Sequence, residues 1–170
     1  MMRTAALMIV CVSLASCVRE TDSQLHRSVA AHDAVLQELP RDFYRPGLGD
    51  LMNSPQLRHA KLWFAATASN WELAAFELEE LQENFDRVSR WHAMVEGVPA
   101  APAIKSFTQQ GRYAIDQSIR RRDGVQFRDA FDSFTQGCNG CHRATGHPFI
   151  VIQRPSHDAI GNQTWSVTAE

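Results

Sequence analysis

Phe127-Arg128-Asp129-Ala130-Phe131-Asp132-Ser133-Phe134-Thr135-Gln136-Gly137-Cys138-Asn139-Gly140-Cys141-His142 is the stretch that decides the fold. Phe127, Phe131, Phe134, Cys138 and Cys141 recur at steps of four and three, which stacks them on one face of an α-helix. The spacing predicts a helix from about Val125 to Thr145, with Gly146 as its stop. Working outward, Asp123-Gly124 breaks the chain before it. A preceding helix from near Ala101 to Arg122 turns Ile104, Phe107, Ala114, Ile115 and Ile119 inward. Another opens at Asn70 and runs to about His92, with Trp71, Ala74, Leu78, Leu81, Phe85 and Val88 as its apolar stripe. The first of the four starts at Asp50 or at Ser54-Pro55 and ends near Ala68; Ser as cap with Pro at the first helical position is the stronger start signal. No alternating run is long enough to argue for a sheet. Short connections make sequential helices antiparallel neighbours. The expected fold is therefore all-α, an up-down-up-down four-helix bundle over 50–146. An extra helical arm, Asp22 to Leu39, and a linker rich in Pro and Gly precede it within 17–49. A tail, 147–170, follows, with Phe149 to Ile152 packing back across the end of the last helix.

Cys138-Asn139-Gly140-Cys141-His142 reads C-x-x-C-H, the attachment signature of a c-type haem. Two thiols three positions apart can each form a thioether to one vinyl group of a single porphyrin. The histidine after the second thiol is then held under the iron as its proximal ligand. Half a zinc site, a redox-active pair and coincidence are the competing readings. Structural zinc needs four ligands, and the others would have to be histidines. A thioredoxin-like pair belongs in a βαβ setting, and the surroundings here are helical.

The N-terminus supports export. Met1 to Ser16 carries one charge, Arg3, then an apolar run too short to span a bilayer. Leu14-Ala15-Ser16-Cys17 resembles a bacterial lipobox, which implies cleavage after residue 16 and a lipid on Cys17. The four cysteines of the chain are then accounted for: Cys11 leaves, Cys17 takes lipid, Cys138 and Cys141 take haem. A formal net charge of −2 gives no sign of nucleic-acid binding. The expected location is the periplasmic side of a bacterial membrane, held by lipid. Val18 after Cys17 is not the aspartate that commonly retains lipoproteins at the inner membrane, which favours the outer one.

Four helices with C-x-x-C-H near the end of the last resemble the class II c-type cytochromes, the cytochrome c-prime group. The motif residues that carry over are Cys138, Cys141 and His142. The arm and the long segment after His142 depart from that pattern. The stretch Arg58 to Ala65 with Asn70 to Ala74 also resembles exported bacterial proteins of unassigned role. The class II resemblance implies one covalent haem c, a sixth ligand from the first helix where there is one, and a possible homodimer. The candidates for that ligand are His59 and Met52. They share a face but stand roughly 10 Å apart, so both cannot reach one iron. His59 is preferred, because Pro55 makes an early helix start costly. A polar core histidine is its alternative role. His92 is a weaker candidate, and His147 could cover the haem edge. Trp63, Phe64, Phe127, Phe131 and Phe134 are expected to wall the haem.

The sixth ligand decides the role. A protein ligand gives a one-electron carrier exchanging with periplasmic or membrane redox partners. An open face gives a haem that binds or senses nitric oxide or carbon monoxide. An enzyme is not expected. A peroxidase needs polar acid–base groups over the iron, and adjacent Arg58 and His59 point about 100° apart on a helix. Arg120, Arg121, Arg122 and Arg128 form the one basic cluster, either a partner-steering patch or a solvated helix end.

Overall fold

The computed structural model describes residues 45–158 and 160–167, with Gln24, Ser28, Val29 and Ala31 before them. Those four are helical; the rest of the expected arm, the signal segment and Cys17 lie outside the described residues. The helices and the tail belong to one unit, Pro46–Glu170. Its order is α1 (Leu48–Thr67), α2 (Trp71–Trp91), β1 (Met94–Val95), β2 (Val98–Pro99), α3 (Ala100–Arg121) and α4 (Gly124–Ala144). The unit is thus mostly helical. The antiparallel β1–β2 ribbon is folded by Glu96 and Gly97, both at positive φ (47° and 78°), the conformation of a tight two-residue hairpin turn. It lies in the connection between α2 and α3.

The start of α1 corrects one expectation. The helix begins at Leu48, so Ser54-Pro55 is no cap and Pro55 lies inside it. An interior proline costs about 3 kcal/mol by removing one backbone donor and crowding the carbonyl a turn back. Packing offsets that cost: Leu51, Pro55, His59 and Leu62 are all buried along one stripe.

Elsewhere the local signals hold. The Asn70 side chain accepts from Leu73 N and caps α2. Arg122, left-handed at φ 54°, ends α3. Asp123 then accepts from Val125 N and Gln126 N to open α4. α4 closes with Gly146 at φ 77°. There Gly146 N donates to Arg143 O and His147 N to His142 O, the paired bonds of a Schellman stop.

The core joins Leu62, Leu78, Leu81, Phe85, Ile115 and Ile119 to Phe127, Phe131 and Phe134 of α4. Each of these fully buried phenylalanines contributes about 1.5–3 kcal/mol of transfer free energy. Phe107, expected inward, is exposed over 38% of its surface.

Three glycines set how near α3 comes to α4. A Cβ on Gly111 would stand 2.6 Å from the Phe134 Cα, and one on Gly140 2.8 Å from the Phe107 ring. On Gly137 it would stand 2.1 Å from the Phe107 backbone oxygen, which cannot swing aside. Gly137→Ala is therefore expected to lower unfolding free energy by about 1–3 kcal/mol, the cost of overpacking, as read from urea titration.

Candidate functional site

α4 carries Cys138 and Cys141 one turn apart, with His142 next. They open onto a cavity of about 290 Å³. α1 contributes Met52, Pro55 and His59 to its wall; α2 contributes Leu81, Phe85 and Val88; α3 contributes Ile104 and Thr108. Ile150 and Ile152 of the tail close it beside the motif. The walls are largely apolar, and the rim at Gly49, Asn53 and Gln56 is exposed. Both sixth-ligand candidates thus face the same cavity as the motif.

The two thiols are free and partly buried. Burial, and then the neighbouring Cys141, push the Cys138 thiol up to about 12; burial also raises Cys141. Redox-active pairs show the opposite, with thiols lowered at helix N-termini or beside cations. These two sit near the C-terminal end of α4, where the helix dipole disfavours thiolate. Among the described residues, no three His, Cys, Asp or Glu side chains come together as a metal site. The zinc reading therefore gains no support, whereas a haem needs only one protein ligand on this side.

His142 is held in one tautomer. Its Nδ1 lies 3.0 Å from the Ile150 carbonyl oxygen, which can only accept. The proton is therefore on Nδ1, and Nε2 keeps its lone pair. Metal-ligating histidines are oriented by this kind of bond. Free thiols on one wall, an Nε2 lone pair beside them and an apolar cavity fit the attachment of haem.

His59 is 4% exposed, and its Nε2 lies 2.8 Å from Thr135 Oγ1. That hydroxyl donates to Phe131 O, so it accepts from His59. Nε2–H is thereby committed to the core, and only Nδ1 keeps a lone pair. The Phe131 ring lies 4.3 Å away. Met52 is half-buried against the core. With α1 starting at Leu48, Met52 stands nearer the end of α1 that the sequence matched in height with His142.

The aromatic wall is smaller than expected. Phe134 lines the cavity, joined by Phe85, whose stripe was legible but whose role was not. Trp63 does not line it. It packs on Phe127 and Phe131 and under the Arg154 guanidinium, 4.9 Å from its ring centre. Position 63 is one helical turn, about 5.4 Å, further from the motif than His59. Phe64 packs against Trp165 with the rings tilted by 35°. His147 reaches the cavity, but His92 instead binds Pro46 O. Arg58 is engaged by Glu77 and Glu80, away from His59. In the basic cluster Arg120 pairs with Asp116, and Arg128 donates to the carbonyl of Gly124.

Desolvation lowers His59 to about 4 from an ordinary 6.5. Between those values the unfolded chain binds a proton that the folded one refuses, so stability falls as pH drops through that window. The expected loss is about 3 kcal/mol between pH 6.5 and 4. His59→Leu should flatten that part of the profile in urea titrations at pH 7 and 4.5.

No family model, curated protein or solved structure matches the chain.

Proposed function

We propose that this chain is an exported single-haem c-type cytochrome of class II type, carrying one electron at a time. The observation that carries the reading is the shared cavity, with Cys138, Cys141 and a correctly protonated His142 on one wall and Met52 and His59 on another. The four helices suit an antiparallel bundle with the tail laid along α4. When bound, the haem would supply an iron that cycles between ferric and ferrous states. Cys138 and Cys141 would hold it through thioethers, each S–H adding across a vinyl double bond. His142 Nε2 would ligate the iron. The apolar side chains of Leu81, Phe85, Val88, Ile104 and Phe134 would exclude water and disfavour the extra charge of the ferric state, raising the potential.

The register of α1 moves the preference for sixth ligand from His59 to Met52. His59 Nε2 already donates to Thr135; ligation through that nitrogen would break the bond and leave a buried group unpaired at about 1–3 kcal/mol, so only Nδ1 is free for iron. The same bond favours a second reading: if Met52 stays off the iron, the open face would bind nitric oxide or carbon monoxide. Tethering to the periplasmic side of a membrane through Cys17, with periplasmic or membrane redox partner proteins, remains part of the proposal on sequence grounds. Among the described residues no helix is long and apolar enough to cross a membrane.

Optical spectra of the exported protein test this, oxidised and reduced, with and without carbon monoxide. Covalent haem that survives denaturing electrophoresis is expected, and Cys138→Ala with Cys141→Ala should abolish it. Low-spin bands unmoved by carbon monoxide in the native chain, but high-spin and responsive in Met52→Ala, would establish the carrier. A native spectrum that shifts with carbon monoxide would give the gas-binding reading the lead. An exported chain without covalent haem would sink both.

A further inference from the structure

The tail is tied to the motif by polar contacts as well as by Ile150 and Ile152, which line the cavity. Asn139, the first residue between the two cysteines, donates from Nδ2 to Ile152 O at 2.8 Å and accepts at Oδ1 from Ile152 N at 2.7 Å. Its amide thus saturates both backbone groups of one tail residue, as a neighbouring strand would. Two residues earlier in the tail, Ile150 O takes the proton of His142 Nδ1. Asn139 and His142 lie three apart on α4 and face the same side. Phe149 and Val151 are 77% and 71% exposed, so only the alternate side chains, Ile150 and Ile152, turn to the cavity. The chain reaches it by the Schellman turn at Gly146. Beyond it, Arg154 pairs with Asp132 and donates to Arg128 O. The tail therefore runs back along α4 past residues 142, 139, 132 and 128 in turn.

We propose that Asn139 is a positioning residue for His142, acting through the tail, and that this strap helps set the reduction potential of the haem. The second half rests on the cytochrome reading above. Only an amide offers a donor and an acceptor at this reach: aspartate supplies acceptors alone, and glutamine is one methylene longer. By fixing Ile152, Asn139 fixes the carbonyl of Ile150. That carbonyl keeps the proton on Nδ1, turns Nε2 to the cavity and makes the imidazole a stronger donor. A stronger donor favours ferric iron, so the intact strap lowers the potential.

The test uses the exported full-length chain. NMR of the diamagnetic (low-spin ferrous, carbon monoxide-bound if the iron face is open, or haem-free) protein should find a proton on His142 Nδ1 and slow solvent exchange of the Ile152 amide. Asn139→Ala, checked by circular dichroism for unchanged helix content, should speed that exchange at least tenfold and raise the reduction potential. A wild-type Ile152 amide that exchanges freely, or His142 protonated on Nε2 alone, overturns the strap without any variant. An unchanged potential in a folded Asn139→Ala protein that has lost Ile152 protection overturns the redox role. A chain exported without haem refutes the cytochrome reading, and the amide-exchange and tautomer results then decide the strap alone.

Discussion

Everything at the candidate site depends on how closely α3 approaches α4. Gly111, Gly137 and Gly140 place no side chain of their own between the two backbones. α3 can therefore support the motif from behind while Cys138, Cys141 and His142 face the cavity. The close approach also seats the Phe107 ring over Gly140. The two unspecified positions of C-x-x-C-H are thus both occupied for a physical reason: Gly140 because α3 is there, and Asn139 because the tail is.

The polar groups around the core obey the same economy. His59 donates to Thr135, Thr135 donates to Phe131 O, and Arg58 neutralises the buried Glu77. Among the described residues no buried side-chain nitrogen or oxygen lacks a partner. A buried, neutral, bonded histidine is a finished piece of core, which is why an inward histidine at helical spacing is weak grounds for a ligand.

Much of this was legible in the sequence. The stripe from Phe127 to Cys141 gave α4, Asn70 gave the start of α2, Asp123-Gly124 gave the break before α4, and Gly146 gave the stop, because each is a local rule read over a few residues. Pro55 misled, because its local preference for a helix start was overridden by burial of Leu51 and Pro55 against distant residues. Trp63 was assigned to the haem on stripe position alone, which fixes a face of the helix but not a height along the bundle. The packing roles of Gly111, Gly137 and Gly140 had no local signal at all; a glycine inside a helix reads as a weakness until its neighbour is known. The tail was expected to fold back. Its hydrogen bonds to Asn139 and His142 were not legible, since they use backbone atoms that every residue carries.

A closure made by backbone atoms leaves its own mark on related chains. Ile150 and Ile152 meet α4 through their carbonyls and an amide while their side chains line the cavity, so the strap constrains the length and path of the tail and two apolar positions in it. Related chains could diverge at the exposed positions, Phe149 and Val151, while keeping the same closure. The traces such kinship would leave are an asparagine in the first gap of the motif and a constant distance from His142 to the strap.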